Sequence, residues 1–102
     1  MALIMLFIKI RGERMIQPTL QALCDPTRRQ IVRLLIKGPR TAGDIYEKFD
    51  ISPPAISRHL AVLREARLVE ATRDGKCIVY SLCPDPLEDL ELWLKEILTE
   101  NQ

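Results

Sequence analysis

At 102 residues, 47% hydrophobic and 28% charged, the chain has the length and mix of one globular domain with one modest core, and it shows no internal repeat or low-complexity stretch. The formal net charge of +1 hides a division: residues 84–102 hold six acids (Asp85, Glu88, Asp89, Glu91, Glu96, Glu100) and one base (Lys95), a net of −5, leaving +6 on the other 83 residues. A basic body with an acidic terminal segment suits a polyanion on one face and a partner on another, with plain solvated charge as the rival reading.

The chain opens with MALIMLFIKIRGER, whose apolar run from Ala2 to Ile8 has no preceding positive charge and no small-residue cleavage site, so it is no secretory signal. It also falls far short of the roughly 20 apolar residues of a transmembrane segment. Residues 1–14 read as a short strand or helical extension covering apolar surface at a dimer contact, or as a lead ahead of a true start at Met15. Residues 15–102 form the domain proper. From Met15 to Cys24, Ile16, Leu20 and Leu23 recur at helical spacing, with Pro18 expected in the opening turn. In DPTRRQIVRLLIKGP, Asp25 is a cap, Pro26 takes the first helical position, and Gly38-Pro39 stops the helix. Ile31, Leu34 and Leu35 form its buried face, leaving Arg28, Arg29, Arg33 and Lys37 outside.

TAGDIYEKFD begins with Thr41 and Asp44 in a capping-box-like pair, with Ile45 and Phe49 facing inward. After a break at Asp50-Ile51, Ser52 caps a further helix with Pro53 at its first position. Ile56, Leu60 and Leu63 make its inward stripe, and Ser57, Arg58, Ala61, Arg64 and Glu65 lie outside. Two helices in this order form a helix-turn-helix pattern. LVEATR and KCIVYSL are strand-like runs joined by Asp74-Gly75, a hairpin signal with Arg73 and Lys76 flanking its tip. Val69, Ala71, Ile78 and Tyr80 fall on one hairpin face and Glu70, Thr72, Cys77 and Val79 on the other. The fold class is therefore mainly α with a β-hairpin wing (α+β), a winged helix-turn-helix. Past Cys83-Pro84 a last helix starts near Pro86, with Leu87, Leu90, Leu94, Ile97 and Leu98 in a stripe and Trp93 beside it. A domain this small buries only about 60–65% of its unfolded surface, so that stripe, with Leu20, is expected at a homodimer interface.

Major-groove reading needs short side chains near the start of a helix and a donor such as Arg for guanine edges. Ser52, Pro54, Ala55, Ser57 and Arg58 meet that need, and the amides of the same helix start are candidate phosphate donors with Ser52. Arg73 and Lys76 suit a wing that follows the backbone or enters the minor groove. Arg28, Arg29, Arg40 and Thr41 are weaker phosphate candidates, and each has an ordinary surface or capping role as its rival reading. His59, the one histidine, forms no histidine metal cluster; it contacts phosphate at the helix edge or serves as a structural histidine. Cys24, Cys77 and Cys83 form neither a disulfide framework nor a zinc ribbon, and they fit a reducing cytoplasm. There is no glycine-rich phosphate loop, nucleophile elbow or His beside a nucleophile, so neither catalysis nor a cofactor is expected.

ALCDPTRRQIVRLL, TAGDIYEKFDISPPAISRHLAVLREARLV and DGKCIVYSL together resemble the ArsR/SmtB family of bacterial winged-helix repressors, from about Leu20 to Leu82. Within it the chain is most similar to the autorepressor branch related to sporulation-delay regulators. The resemblance implies a homodimer built by first and last helices, with two recognition helices on an inverted repeat in double-stranded DNA. It maps Ser52, Pro54, Ala55, Ser57, Arg58 and His59 onto the recognition stretch and Arg73 to Lys76 onto the wing tip. The family's Cys-x-Cys metal pair has no counterpart in GDIYEKF, nor its Asp/His site in the last helix, so no metal site is expected. Arg67 stands where the family commonly has Gly before LV, so the helix end there is expected to be strained, shifted or rebuilt. The expected function is a homodimeric repressor of its own or a nearby promoter. Its rivals are a thiol- or metal-responsive repressor using Cys24, Cys77 or Cys83, and a protein-binding adaptor on the Leu87–Leu98 stripe. A regulatory protein partner is also compatible with the apolar amino terminus.

Overall fold

A single 22-residue helix, α1 (Ala2–Leu23), takes in the apolar amino terminus, so the extension is helical and not a strand. The computed structural model describes residues 2–100, with the backbone path alone for residues 5–15. Pro18 stands inside α1 instead of in an opening turn. Lacking an N–H, it leaves the carbonyl four residues back without its usual donor. Packing decides the matter: Ile16, Thr19 and Ala22 are buried at a spacing of three, and it is their row, not Leu20, that faces the core.

α2 (Pro26–Ile36) starts at the Asp25 cap, whose Oδ1 accepts the N–H groups of Thr27 at 2.8 Å and Arg28 at 3.2 Å. It ends at Gly38, whose φ of +138° is a conformation that suits only glycine. Ile31, Val32 and Leu35 are its buried residues, with Leu34 half-buried against them. A two-residue strand, β1 (Arg40–Thr41), leads into α3 (Ala42–Glu47), capped by Thr41, whose Oγ1 accepts the Asp44 N–H at 3.1 Å. The Lys48 cap of α3 and the Ser52 cap of α4 (Pro53–Glu65) leave only residues 49–51 between them, the tight joint of a helix-turn-helix. Ile45 from α3 and Ile56, Leu60 and Leu63 from α4 are at most 1% exposed and meet α2 in the core. Burying each such side chain contributes about 1.5–3 kcal/mol.

The end of α4 keeps the hydrogen bonds of a Schellman motif despite Arg67. The N–H of Leu68 donates to Leu63 O at 3.0 Å and that of Arg67 to Arg64 O at 2.9 Å, with Leu63 and Leu68 both fully buried beneath. Arg67 takes φ +60° to do this, so the motif is strained and not rebuilt. Arg67→Gly is therefore expected to raise stability by roughly 1 kcal/mol, less what the more flexible unfolded chain recovers, read as a higher denaturant midpoint.

β2 (Val69–Asp74) and β3 (Cys77–Leu82) form the wing, and the sheet runs β1-β3-β2, all antiparallel. Asp74 pairs with Cys77, so the two-residue turn is Gly75-Lys76, one residue later than Asp74-Gly75. Gly75 has φ +64° and Lys76 does not share the left-handed region, the pattern of a type II′ turn with glycine first. The expected faces hold: Val69, Ala71, Ile78 and Tyr80 share one side, and Glu70, Thr72, Cys77 and Val79 the other.

α5 (Asp85–Glu100) returns to pack on α1. Its stripe divides: Leu87 reaches the core and Leu90 and Trp93 are half-buried, while Leu94, Ile97 and Leu98 are 46%, 42% and 64% exposed. The radius of gyration is 15.8 Å, against about 13 Å for a compact chain of ~100 residues. The molecule is 49 Å along its greatest extent and 26 Å or less across.

Candidate nucleic-acid interface

α4 is held by its inner stripe and presents a compact outer side. Pro54, Ser57, Arg58, Ala61 and Arg64 are exposed there, with Ala55 half-buried at the edge. Pro and Ala keep the relief low beside Arg58, so a helix carrying them can approach base edges closely. Among the described residues Arg58 has no hydrogen-bond or ion-pair partner in the protein, so all its donors are available to a ligand.

The helix start does not offer the amide donors that were expected. Pro53 and Pro54 have no N–H, the Ala55 N–H points to Ser52 Oγ at 3.4 Å, and that of Ile56 closes on Ser52 O at 3.1 Å. What remains for phosphate is the hydroxyl proton of Ser52. Ser57 is also engaged, its Oγ 3.0 Å from the hydroxyl of Tyr46. Tyr46, half-buried on α3, thus joins the two helices of the motif and fixes the side chain beside Arg58. No local pattern pointed to Tyr46, because its partner lies on the next helix.

At the wing, Lys76 occupies the turn itself, and Arg73 lies opposite Ile78, one pair below Asp74 and Cys77. Arg73, Asp74, Gly75 and Lys76 are all exposed. Two cations on a narrow hairpin tip suit a phosphate backbone or a narrow minor groove. Thr41 uses its oxygen as a cap, and its place beside Val79 in the sheet leaves it half-buried. Arg40, across from Tyr80, has a buried Nε without a partner among the described residues.

Arg28 and His59 come together away from that outer side. Arg28 donates from Nε to Ala22 O at 2.6 Å and from Nη2 to Gln21 O at 3.2 Å, while its Nη1 lies 3.3 Å from His59 Nδ1. Arg29 similarly donates to the carbonyls of Leu23 and Cys24 at 2.7 and 3.1 Å. Both arginines thus close the carboxyl end of α1. The Asp25 carboxyl sits 4.0 Å from His59 Nδ1. Desolvation pushes its pKa up, but the N–H groups of Arg28 and Thr27, and then the charges of His59 and Arg28, outweigh this and hold it below the usual carboxylate value.

Of the dimer-interface candidates, Leu20, Leu94 and Ile97 are exposed, Leu90 and Trp93 half-buried, and Leu87 packed on the core. Cys24 and Cys77 are exposed and Cys83 half-buried. Burial, then the charges of Glu70 and Asp85, push the Cys83 thiol up, which disfavours the thiolate a sensor needs. Among the described residues no three His, Cys, Asp or Glu side chains are grouped to hold a metal ion, and no helix is long and apolar enough to cross a membrane.

The sequence model described as "Bacterial regulatory protein, arsR family" matches residues 25–71, from the α2 cap to the wing. The chain is 44% identical over 80 residues to the transcriptional repressor SdpR of Bacillus subtilis (strain 168), covering 78% of this chain and 89% of that one. It is 43% identical over 79 residues to an HTH-type transcriptional regulator of Mycobacterium tuberculosis, covering 78% and 74%. Among solved structures, an ArsR-like transcriptional regulator from Rhodococcus sp. RHA1 superposes with a TM-score of 0.78 at 27% identity, covering 86% of this chain and 83% of that one.

Proposed function

The chain belongs to the arsR family of bacterial regulatory proteins and is a DNA-binding transcriptional regulator, not an enzyme, and on that premise we propose that it is a cytoplasmic homodimeric repressor of its own or a nearby promoter. The observation that carries the DNA-reading assignment is the exposed Arg58 on the low-relief side of α4, without a partner among the described residues. Arg58 reads base edges with Ser57, Pro54 and Ala55 around it, Ser52 and Thr41 add hydroxyls to the backbone, and Arg73 and Lys76 hold the flanking DNA. The dimer is supported by the apolar residues exposed on α1 and α5 and by an elongation unusual for a lone domain of this size. Residues 15–102 carry both functions, and residues 2–14 lengthen α1. Two such protomers place their α4 helices on the halves of an inverted repeat, one turn of DNA apart. The repressor works without either metal arrangement of its family, since GDIYEKF has no cysteine and α5 no histidine.

A labelled duplex of the gene's own upstream region, titrated against a scrambled duplex at fixed near-physiological salt with chelator and reductant, tests this reading. Selective binding to the upstream duplex is expected. Equal, weak binding to both would remove self-regulation without metal.

A further inference from the structure

Arg28 and His59 were both candidates for phosphate, yet their side chains are directed to each other across the joint between α1, α2 and α4. We infer that His59 is a positioning residue: its Nδ1 accepts the Arg28 Nη1–H and so sets the orientation of α4 against the carboxyl end of α1. This rests on α4 being the helix that reads DNA.

The bonding leaves one consistent arrangement. A guanidinium only donates, so in the neutral ring Nδ1 is the acceptor and the ring proton sits on Nε2. The guanidinium cannot turn away freely, because Nε and Nη2 are anchored on Ala22 O and Gln21 O. Its own backbone N–H is tied to Asp25 Oδ1, which also holds Thr27. Asp25 and His59 are 32% and 21% exposed in their side chains, sheltered enough that a hydrogen bond from a charged donor gains strength. The network therefore joins the last turn of α1, the first turn of α2 and the middle of α4.

His59 lies between Arg58, which faces outward without a partner among the described residues, and Leu60, which is 1% exposed in the core. Leu60 and its stripe seat α4 in the close-packed core. A directional bond at the neighbouring position restrains its rotation. Base-reading groups need placement to about 0.5 Å and 10–20°. A rotation of α4 carries Arg58 with it. The same guanidinium holds carbonyls of α1, the helix that packs along α5, so a shift of α1 reaches Arg58 through Arg28 and His59.

The test compares His59→Asn, His59→Gln, His59→Ala and Arg28→Lys, each checked for folding by circular dichroism and melting. Asparagine places an acceptor where Nδ1 stood; glutamine places it one bond farther out. Imidazole 15N resonances of the free wild-type protein are expected to show the Nε2–H form. On the upstream duplex, His59→Asn keeps most of the selective affinity, while His59→Gln, His59→Ala and Arg28→Lys lose on the order of tenfold. Affinity for the scrambled duplex and the salt slope stay as in the wild type, because no phosphate contact is removed. An Nδ1–H ring, an asparagine variant as poor as alanine, or a salt slope reduced by about one would overturn the inference, the last assigning His59 to phosphate. If the wild type itself fails to discriminate the duplexes, the promoter reading fails. The ring tautomer and the melting order, asparagine above glutamine and alanine, then decide the positioning role alone.

Discussion

Replacing Arg58 with alanine is expected to cost about 1–3 kcal/mol of discrimination between operator and random DNA, roughly 5- to 150-fold, while leaving the fold intact. The side chain contributes nothing to the protein's own bonding among the described residues, so its removal costs the free protein little. Its worth lies in a planar fork of donors beside small neighbours, which fits the two acceptors on a guanine edge. Lysine at the same position keeps the charge but not the fork, so Arg58→Lys should preserve affinity for random DNA and lose selectivity. Titrations of both duplexes at one salt concentration read this directly. A uniform loss on both would place Arg58 on the phosphate backbone.

A second large effect is expected from Leu94→Asp combined with Ile97→Asp. Both residues are more than two-fifths exposed in the protomer, so charge there is tolerated by the monomer fold but not by an apolar contact between copies. Sedimentation or light scattering is expected to show the wild type as a dimer and the double variant as a folded monomer. Operator affinity should then fall by about 10²–10⁴, because the second half-site no longer binds as a tethered event. A double variant that remains dimeric would locate the interface elsewhere, away from the exposed side of α5.

Much of this was legible in the residues because the relevant signals are local. Caps at Asp25, Thr41 and Ser52, prolines at helix starts, and period-two alternation in the hairpin each depend on a few neighbouring positions. Even the misplaced turn did little harm. Moving it by one residue shifts the strand pairing by two, and a shift of two leaves every side chain on its own face. The two-residue β1 carries too few residues to show any period, and only its pairing with Tyr80 and Val79 makes it a strand. Pro18 misled because a local rule about helix interiors met a row of tertiary contacts at Ile16, Thr19 and Ala22 that outweighed it. The outward side of the candidate interface followed from the inward stripe of α4. The contacts of Arg28 with His59 and of Tyr46 with Ser57 span 31 and 11 positions, and nothing short of the folded chain brings them together.

The paired prolines that open α4 have a kinetic meaning. Pro53 and Pro54 have φ fixed before folding, and with Ser52 holding the first free amide the helix start has few alternative conformations to lose. Many DNA readers order a segment as they bind and give up part of their affinity to that ordering. Here the reading helix is complete before the duplex arrives. On the proposed reading, its encounter with DNA is expected to be a collision between finished surfaces, with a rate set by charge and orientation and a small heat-capacity change.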